Sequence, residues 1–427
     1  MSTSKGRAIP RQDSQRLGEL QKAQAQDEFR RAVRALLMHP LMGAAHEDFP
    51  AVRRQAERLR DWFAREAAWP LHVERDGARL FKRPADLLDT TRGLAGYDRR
   101  RYVLLCLACA VLERADAQIT LQLLGERLMQ LAADPALESR GFAFTLRSAA
   151  ERRELVCVCR TLLEYGVLQR VAGDEEHFIH DNGGAQSDAL YDVQRRMLAG
   201  MLAVMRGPST WPAEQAPVSF EDRLQTLVAE PDADGEQGRR DTIRHRLTRR
   251  LLDDPVVYSA SLDAETQAYF FNQRGPLASR ICDATGLTPE QRAEGLALSD
   301  ENGQLTDVSM PAEGTEAHAT LLVAEHLAET LRDLRKPALL TDAAVAAFLR
   351  GAVVQYGRYW RKSAREPGAE VELAEIALDK LHRLQLIARA DGEIRALPAI
   401  TRFAIGSAEL QTTASPKATM NKSLFDL

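Results

Sequence analysis

No stretch of this 427-residue sequence approaches the ~20 consecutive apolar residues needed to cross a bilayer. The segment from Met1 to Gln26 is polar and lacks the apolar core of a secretory signal. Both absences predict a cytoplasmic protein. A strong charge of one sign is lacking too. The net charge of −4 and pI near 6.2 exclude a surface that clamps nucleic acid all round, and leave room only for local basic stripes. Cysteine is scarce and odd in number, at 5. Four of these residues fall in Cys106-Leu107-Ala108-Cys109 and Cys157-Val158-Cys159, from which a four-thiolate zinc site can be drawn. Their flanks, Val103-Leu104-Leu105 and Leu155-Val156, are those of apolar helices, where cysteine serves as a small buried hydrophobe. Zinc ribbons place such pairs in turns, so no metal is expected.

Catalytic signatures are absent as well. There is no glycine-rich phosphate loop with its lysine, no HExxH and no nucleophile elbow. His177-Phe178-Ile179-His180-Asp181 offers two histidines and a carboxylate, but on a strand residues three apart face opposite ways. Asp253-Asp254 and Asp174-Glu175-Glu176 read as solvated acids at a helix end and a turn. The expectation is a protein that is not an enzyme and needs no cofactor.

What the sequence does hold is a repeated pattern. Three times an amphipathic helix runs into a short β-hairpin, at Trp69–Phe81, Gly166–Ile179 and Leu384–Arg395. The first and third have an Asp-Gly turn, which takes up positive φ at little cost and fixes strand register. A fourth candidate, Leu296–Val308, has Asn302-Gly303 as its turn. With 45% hydrophobic residues in 47.5 kDa, the chain can form several cores. The fold class expected is mainly α with small β-hairpins (α+β), organised as tandem winged-helix domains.

Residues 1–26 read as a mobile tail. Residues 27–95 hold helices from Phe29 to Met38 and from Pro50 to about Ala68, followed by the first wing. Residues 96–205 form a winged-helix domain whose last helix, Ala149 to Tyr165, ends at Gly166. Pro208, Pro212, Pro217 and Pro231 mark 206–238 as a linker. Residues 239–335 hold a basic helix and a candidate winged-helix unit. In 336–406 Thr341 caps a helix that buries Tyr356 and Trp360, and Glu372 to Leu384 precedes the third wing. Residues 407–427 read as a disordered tail with an apolar tip, Leu424-Phe425-Asp426-Leu427.

Winged helices meet DNA through the third helix in the major groove and the wing on the backbone. The strongest phosphate-binding stretch is Arg239 to Leu251, where Ile243, Leu247 and Leu251 make a narrow apolar stripe surrounded by Arg239, Arg240, Arg244, Arg246, Arg249 and Arg250. Arg75, Arg79, Lys82 and Arg83 on or beside the first wing are the next candidates. Each set reads equally well as a solvated face.

The strings Ala35-Leu36-Leu37-Met38-His39-Pro40-Leu41, Tyr102–Leu107, Ala189-Leu190-Tyr191-Asp192-Val193, Arg249-Arg250-Leu251-Leu252-Asp253-Asp254-Pro255-Val256-Val257-Tyr258 and Ala293-Glu294-Gly295 resemble the MukE-like KITE subunits of Wadjet-type bacterial SMC plasmid-defence systems. The resemblance spans about residues 30 to 405. It implies a tandem winged-helix subunit that pairs as a homodimer and binds a kleisin, and through it an SMC ATPase, with ATP hydrolysis and plasmid cleavage residing in other chains. Double-stranded DNA is a further expected partner. Two alternatives belong to other classes. A winged-helix transcription regulator would need exposed basic third helices, which Ala149 to Tyr165 and Glu372 to Leu384 are not; a metal-dependent nuclease would need distant acids brought together by the fold.

Overall fold

The computed structural model describes residues 11–87, 89, 91–180, 188–202, 207, 211–214, 216–230, 235–332, 339–390 and 392–403. Contacts divide the chain into two compact bodies, one ending at Asp307, which holds three winged-helix units, and one beginning at Val308. No described helix is long and apolar enough to cross a membrane.

The first winged helix runs α1 (Arg11–Met38), β1 (Leu41–Gly43), α2 (Phe49–Arg54), α3 (Ala56–Ala67), β2 (Leu71–Val73) and β3 (Gly77–Leu80). β3 lies between β1 and β2, antiparallel to both, so the hairpin closes onto the strand that precedes the helices. Phe29, Val33, Leu36, Leu59, Phe63 and Trp69 fill the core beneath it. Two expectations need correction. The segment expected to be a mobile tail to Gln26 is helical from Arg11, because its arginine, glutamine, leucine and alanine are strong helix formers despite their polarity. The helix expected from Pro50 to Ala68 is two, broken at Gln55 and ended at Ala68, which takes the left-handed conformation at φ 48°.

The second unit repeats the order: α4 (Arg99–Glu113), β4 (Gln118–Thr120), α5 (Leu121–Ala132), α6 (Pro135–Glu138), α7 (Ala149–Glu164), β5 (Leu168–Ala172), α8 (Glu175–His180), β6 (Leu190–Val193) and α9 (Arg195–Gly200). Asp98 caps α4, Thr120 caps α5, and Ser148 with Glu151 forms a capping box on α7. Here the expected hairpin within 166–179 gives way to a longer device. β5 pairs with β6, and the chain between them carries α8, so His177 and His180 stand on a helix and not on a strand. Asp174 Oδ1 accepts from the Glu176 N–H at 3.2 Å at the start of α8, and Glu175 is buried against Tyr191 and Arg170.

The span expected as a linker, 206–238, contains α10 (Phe220–Val228), capped by Ser219. The third unit is α11 (Gly235–Asp253), β7 (Val257–Tyr258), α12 (Ala264–Thr285), β8 (Thr288–Gln291) and β9 (Gly295–Ser299). Its wing lies upstream of the expected one: Arg292 to Glu294 make the turn, and Asn302-Gly303 turns the chain after the last strand. The Asn-Gly pair is a true turn signal on the wrong side of the strand. A Cβ on Gly295 would stand 2.2 Å from the Val257 carbonyl oxygen of the neighbouring strand. Gly295→Ala is therefore expected to destabilise the protein by about 1–3 kcal/mol, read by urea unfolding; a variant as stable as the parent would refute that close approach.

The second compact body is a fourth winged helix: α13 (Thr315–Arg332), β10 (Leu339–Thr341), α14 (Asp342–Tyr356), α15 (Ala369–Arg383), β11 (Ile387–Ala390) and β12 (Glu393–Ala396). β12 again sits in the middle of its sheet. Thr341 caps α14, and Trp360 is buried with its indole N–H donating to His318 Nδ1 at 3.0 Å. The expected tail 407–427 lies outside the described residues.

Candidate functional site

In a winged helix the third helix and the wing are the working surfaces. What each of these surfaces touches decides what it can bind.

α11 packs along α3, and Arg244, His245 and Arg249 turn inward to the end of that helix. A helix leaves its last carbonyls without intrahelical donors, and cations near that end are favoured by the dipole. Arg249 is buried and donates from Nε to the Ala67 carbonyl at 2.7 Å, while its Nη2 lies 2.5 Å from Glu230 Oε1. Arg244 donates to the Arg65 carbonyl at 2.9 Å, and His245 Nε2 approaches the same oxygen at 3.1 Å. His245 Nδ1 lies 2.8 Å from Glu230 Oε2. Burial would raise the Glu230 pKa, but the hydrogen bond from His245 and the charge of Arg249 bring it below the usual carboxylate value.

The remaining sequence-predicted residues divide between internal contacts and solvent. Arg246 pairs with Asp263, the N-cap of α12, and Arg250 with Asp254 at 3.0 Å. Arg240 is exposed beside Glu236 at 2.6 Å, and Arg239 is exposed. On the first wing Arg75 is exposed, and Arg83 is half-buried, its backbone carbonyl accepting from the Trp69 indole. Lys82 pairs with Asp253 at 2.5 Å and lies over the Trp69 ring. Arg79 is drawn into the contact with the second unit, donating to the Leu202 carbonyl at 3.4 Å, and its burial lowers the guanidinium pKa. That wing is also held from outside, since Arg196 pairs with Asp76 at 3.0 Å and with Glu74 at 3.5 Å. The structure thus does not bring the candidate cations into one exposed stripe.

The other third helices are no more open to a polyanion. α8 packs on α7, where Arg160 pairs with Glu176. α12 packs on α1, and Arg280 from its last turns reaches the buried Glu66 at 3.1 Å. α15 exposes Glu372, Glu375 and Asp379; Arg389 of β11 ties Glu375 at 2.6 Å to Asp342 at 2.7 Å. Carboxylates on a groove-facing helix oppose phosphate.

The cysteines lie apart in exposure: Cys106 is exposed, Cys109 and Cys157 half-buried, and Cys159 buried. Burial pushes the Cys109 thiol up to about 11 and the Cys159 thiol higher still, so neither has thiolate character at neutral pH. Among the described residues no group of three or more His, Cys, Asp or Glu side chains is placed to hold a metal ion.

Sequence reading missed two features: the latch of α8 on α7, and the use of first-helix arginines to cap another unit's third helix. Four sheets among the described residues, each with its last strand in the middle and packed against a helical core, define a tandem winged-helix protein. The chain belongs to the family described as Protein of unknown function (DUF2398), whose model matches residues 33–406. No curated protein and no solved structure matches it.

Proposed function

We propose that this protein is a non-catalytic adaptor of the KITE type in an SMC–kleisin complex that acts on plasmid DNA in bacterial defence. The observation that carries the reading is the state of the third helices: α3, α7 and α12 are packed within the protein and α15 is acidic. What stays free suits protein partners better than a polyanion, as does the pI near 6.2. Exposed apolar residues fit the same use, among them Val354 at 90% and Val371 at 62% on the last unit. The resemblance of the strings around Ala35, Tyr102, Ala189, Arg249 and Ala293 to MukE-like subunits supplies the partner class, and a kleisin is then the chain to be bound. DNA, where it is touched at all, meets scattered cations such as Arg75 and Arg239, which suit phosphate and not base edges.

Co-expression with the kleisin and SMC-type ATPase of the same genome tests this. The expected result is a complex that survives gel filtration, with the ATPase activity following the SMC chain. Elution of this chain apart from the kleisin at micromolar concentration, or no SMC-type gene beside its own, would overturn the reading and favour a transcription regulator.

A further inference from the structure

The contact between the first and third winged helices is reciprocal. α1 packs on α12 as α11 packs on α3. From α1, Arg34 donates to the carbonyl of Thr285, the last residue of α12, at 3.2 Å. From α11, Arg249 donates to the carbonyl of Ala67, the last residue of α3, at 2.7 Å. One turn earlier, Arg30 reaches the Asp283 carbonyl at 3.0 Å, and His245 reaches the Arg65 carbonyl at 3.1 Å. Both receiving helices end in a left-handed residue, Gly286 at φ 75° and Ala68 at φ 48°.

Two ion pairs brace the same contact, each running from a first helix to the chain just beyond the other unit's last strand, though not at equivalent positions. Arg34 pairs with Asp300, just beyond the third unit's last strand, at 2.5 Å; Asp253 of α11 pairs with Lys82, just beyond the first unit's last strand, also at 2.5 Å. The sequence carries the match. Arg34-Ala35-Leu36-Leu37-Met38-His39-Pro40-Leu41 aligns with Arg249-Arg250-Leu251-Leu252-Asp253-Asp254-Pro255-Val256, with Arg, Leu, Leu and Pro recurring in register.

A surface that meets its own equivalent, each side donating what the other accepts, is the construction of a two-fold interface between identical subunits. We infer that the first and third winged helices form a pseudo-two-fold dimer inside one chain, so that a single copy supplies the winged-helix pair that would otherwise take two. The faces that a second copy would need, the arginine side of the first helix and the C-terminal end of the third, are filled by the chain itself. The isolated protein is then a monomer, in place of the homodimer that the family resemblance implies. This does not depend on kleisin binding.

Light scattering of the full chain between about 1 and 100 µM is expected to give one species near 47.5 kDa. A mass near twice that value would overturn the inference. Charge exchange at the Lys82–Asp253 contact supplies the second reading. Asp253→Lys should lower the melting temperature, and Lys82→Asp in the same chain should restore most of the loss. An unchanged melting temperature in the single variant, or no recovery in the double, also counts against the pairing.

Discussion

Arg249→Ala is expected to destabilise the body that ends at Asp307 by about 3–5 kcal/mol, the usual cost of removing one partner from a buried ion pair. Arg249 is only 6% exposed. Its loss strands two groups: the Ala67 carbonyl at the end of α3 and the half-buried carboxylate of Glu230. His245 would remain on Glu230 at 2.8 Å and soften the second of these. Arg239→Ala on the same helix is the control, since Arg239 is exposed, and surface changes of that kind stay within about 0.5 kcal/mol. Urea unfolding of the two variants separates an inward-facing basic helix from a solvated one. Equal stability of Arg249→Ala and Arg239→Ala would show that the guanidinium is not buried against α3.

That contrast explains how far the sequence could be read. The apolar stripe Ile243, Leu247 and Leu251 correctly marks one docked side of α11, and Leu247 and Leu251 are buried. Periodicity tells which face is covered when the covering partner is apolar. It is silent when the partner is a row of orphan carbonyls at a helix end, so Arg249 read as a phosphate ligand. The third expected wing was legible because Gly392 takes up positive φ, at 76°, in its turn; in the first the hairpin forms, but Gly77 opens β3 without positive φ and the turn is made by the residues before it. The wing of the second unit was not, because its strands are separated by α8, and no local pattern shows that Glu175 will be buried. The third unit's wing was misplaced by a genuine Asn-Gly turn that follows its last strand. The pairing of the first and third units was available in the repeated Arg, Leu, Leu and Pro of the two strings. Its meaning required seeing that both arginines end on the last carbonyl of a helix in the other unit.

The second large effect is expected at Glu175, which holds α8 in place. Its side chain is 1% exposed, it accepts from the fully buried Tyr191 hydroxyl at 2.8 Å, and Arg170 of β5 pairs with it. Glu175→Ala leaves the Tyr191 hydroxyl without a partner where water does not reach, a cost of about 1–3 kcal/mol. Arg170 is 44% exposed and can turn to solvent, so its share of the loss is small. Glu175→Gln keeps an acceptor for Tyr191 and should cost less than the alanine variant. The effect should also be local: Phe178 and Ile179 pack into the core of the second unit from α8, and with the latch gone hydrogen exchange should quicken first in residues 175–180. α7 would then lose its cover, with Arg152 released from the Ile179 carbonyl and Arg160 from Glu176. Exchange that is unchanged in α8 while global stability falls would mean that Glu175 supports the strands and not the helix. Equal losses from Glu175→Ala and Glu175→Gln would instead assign the effect to the charge pair with Arg170, and the Tyr191 hydroxyl would have to find another acceptor.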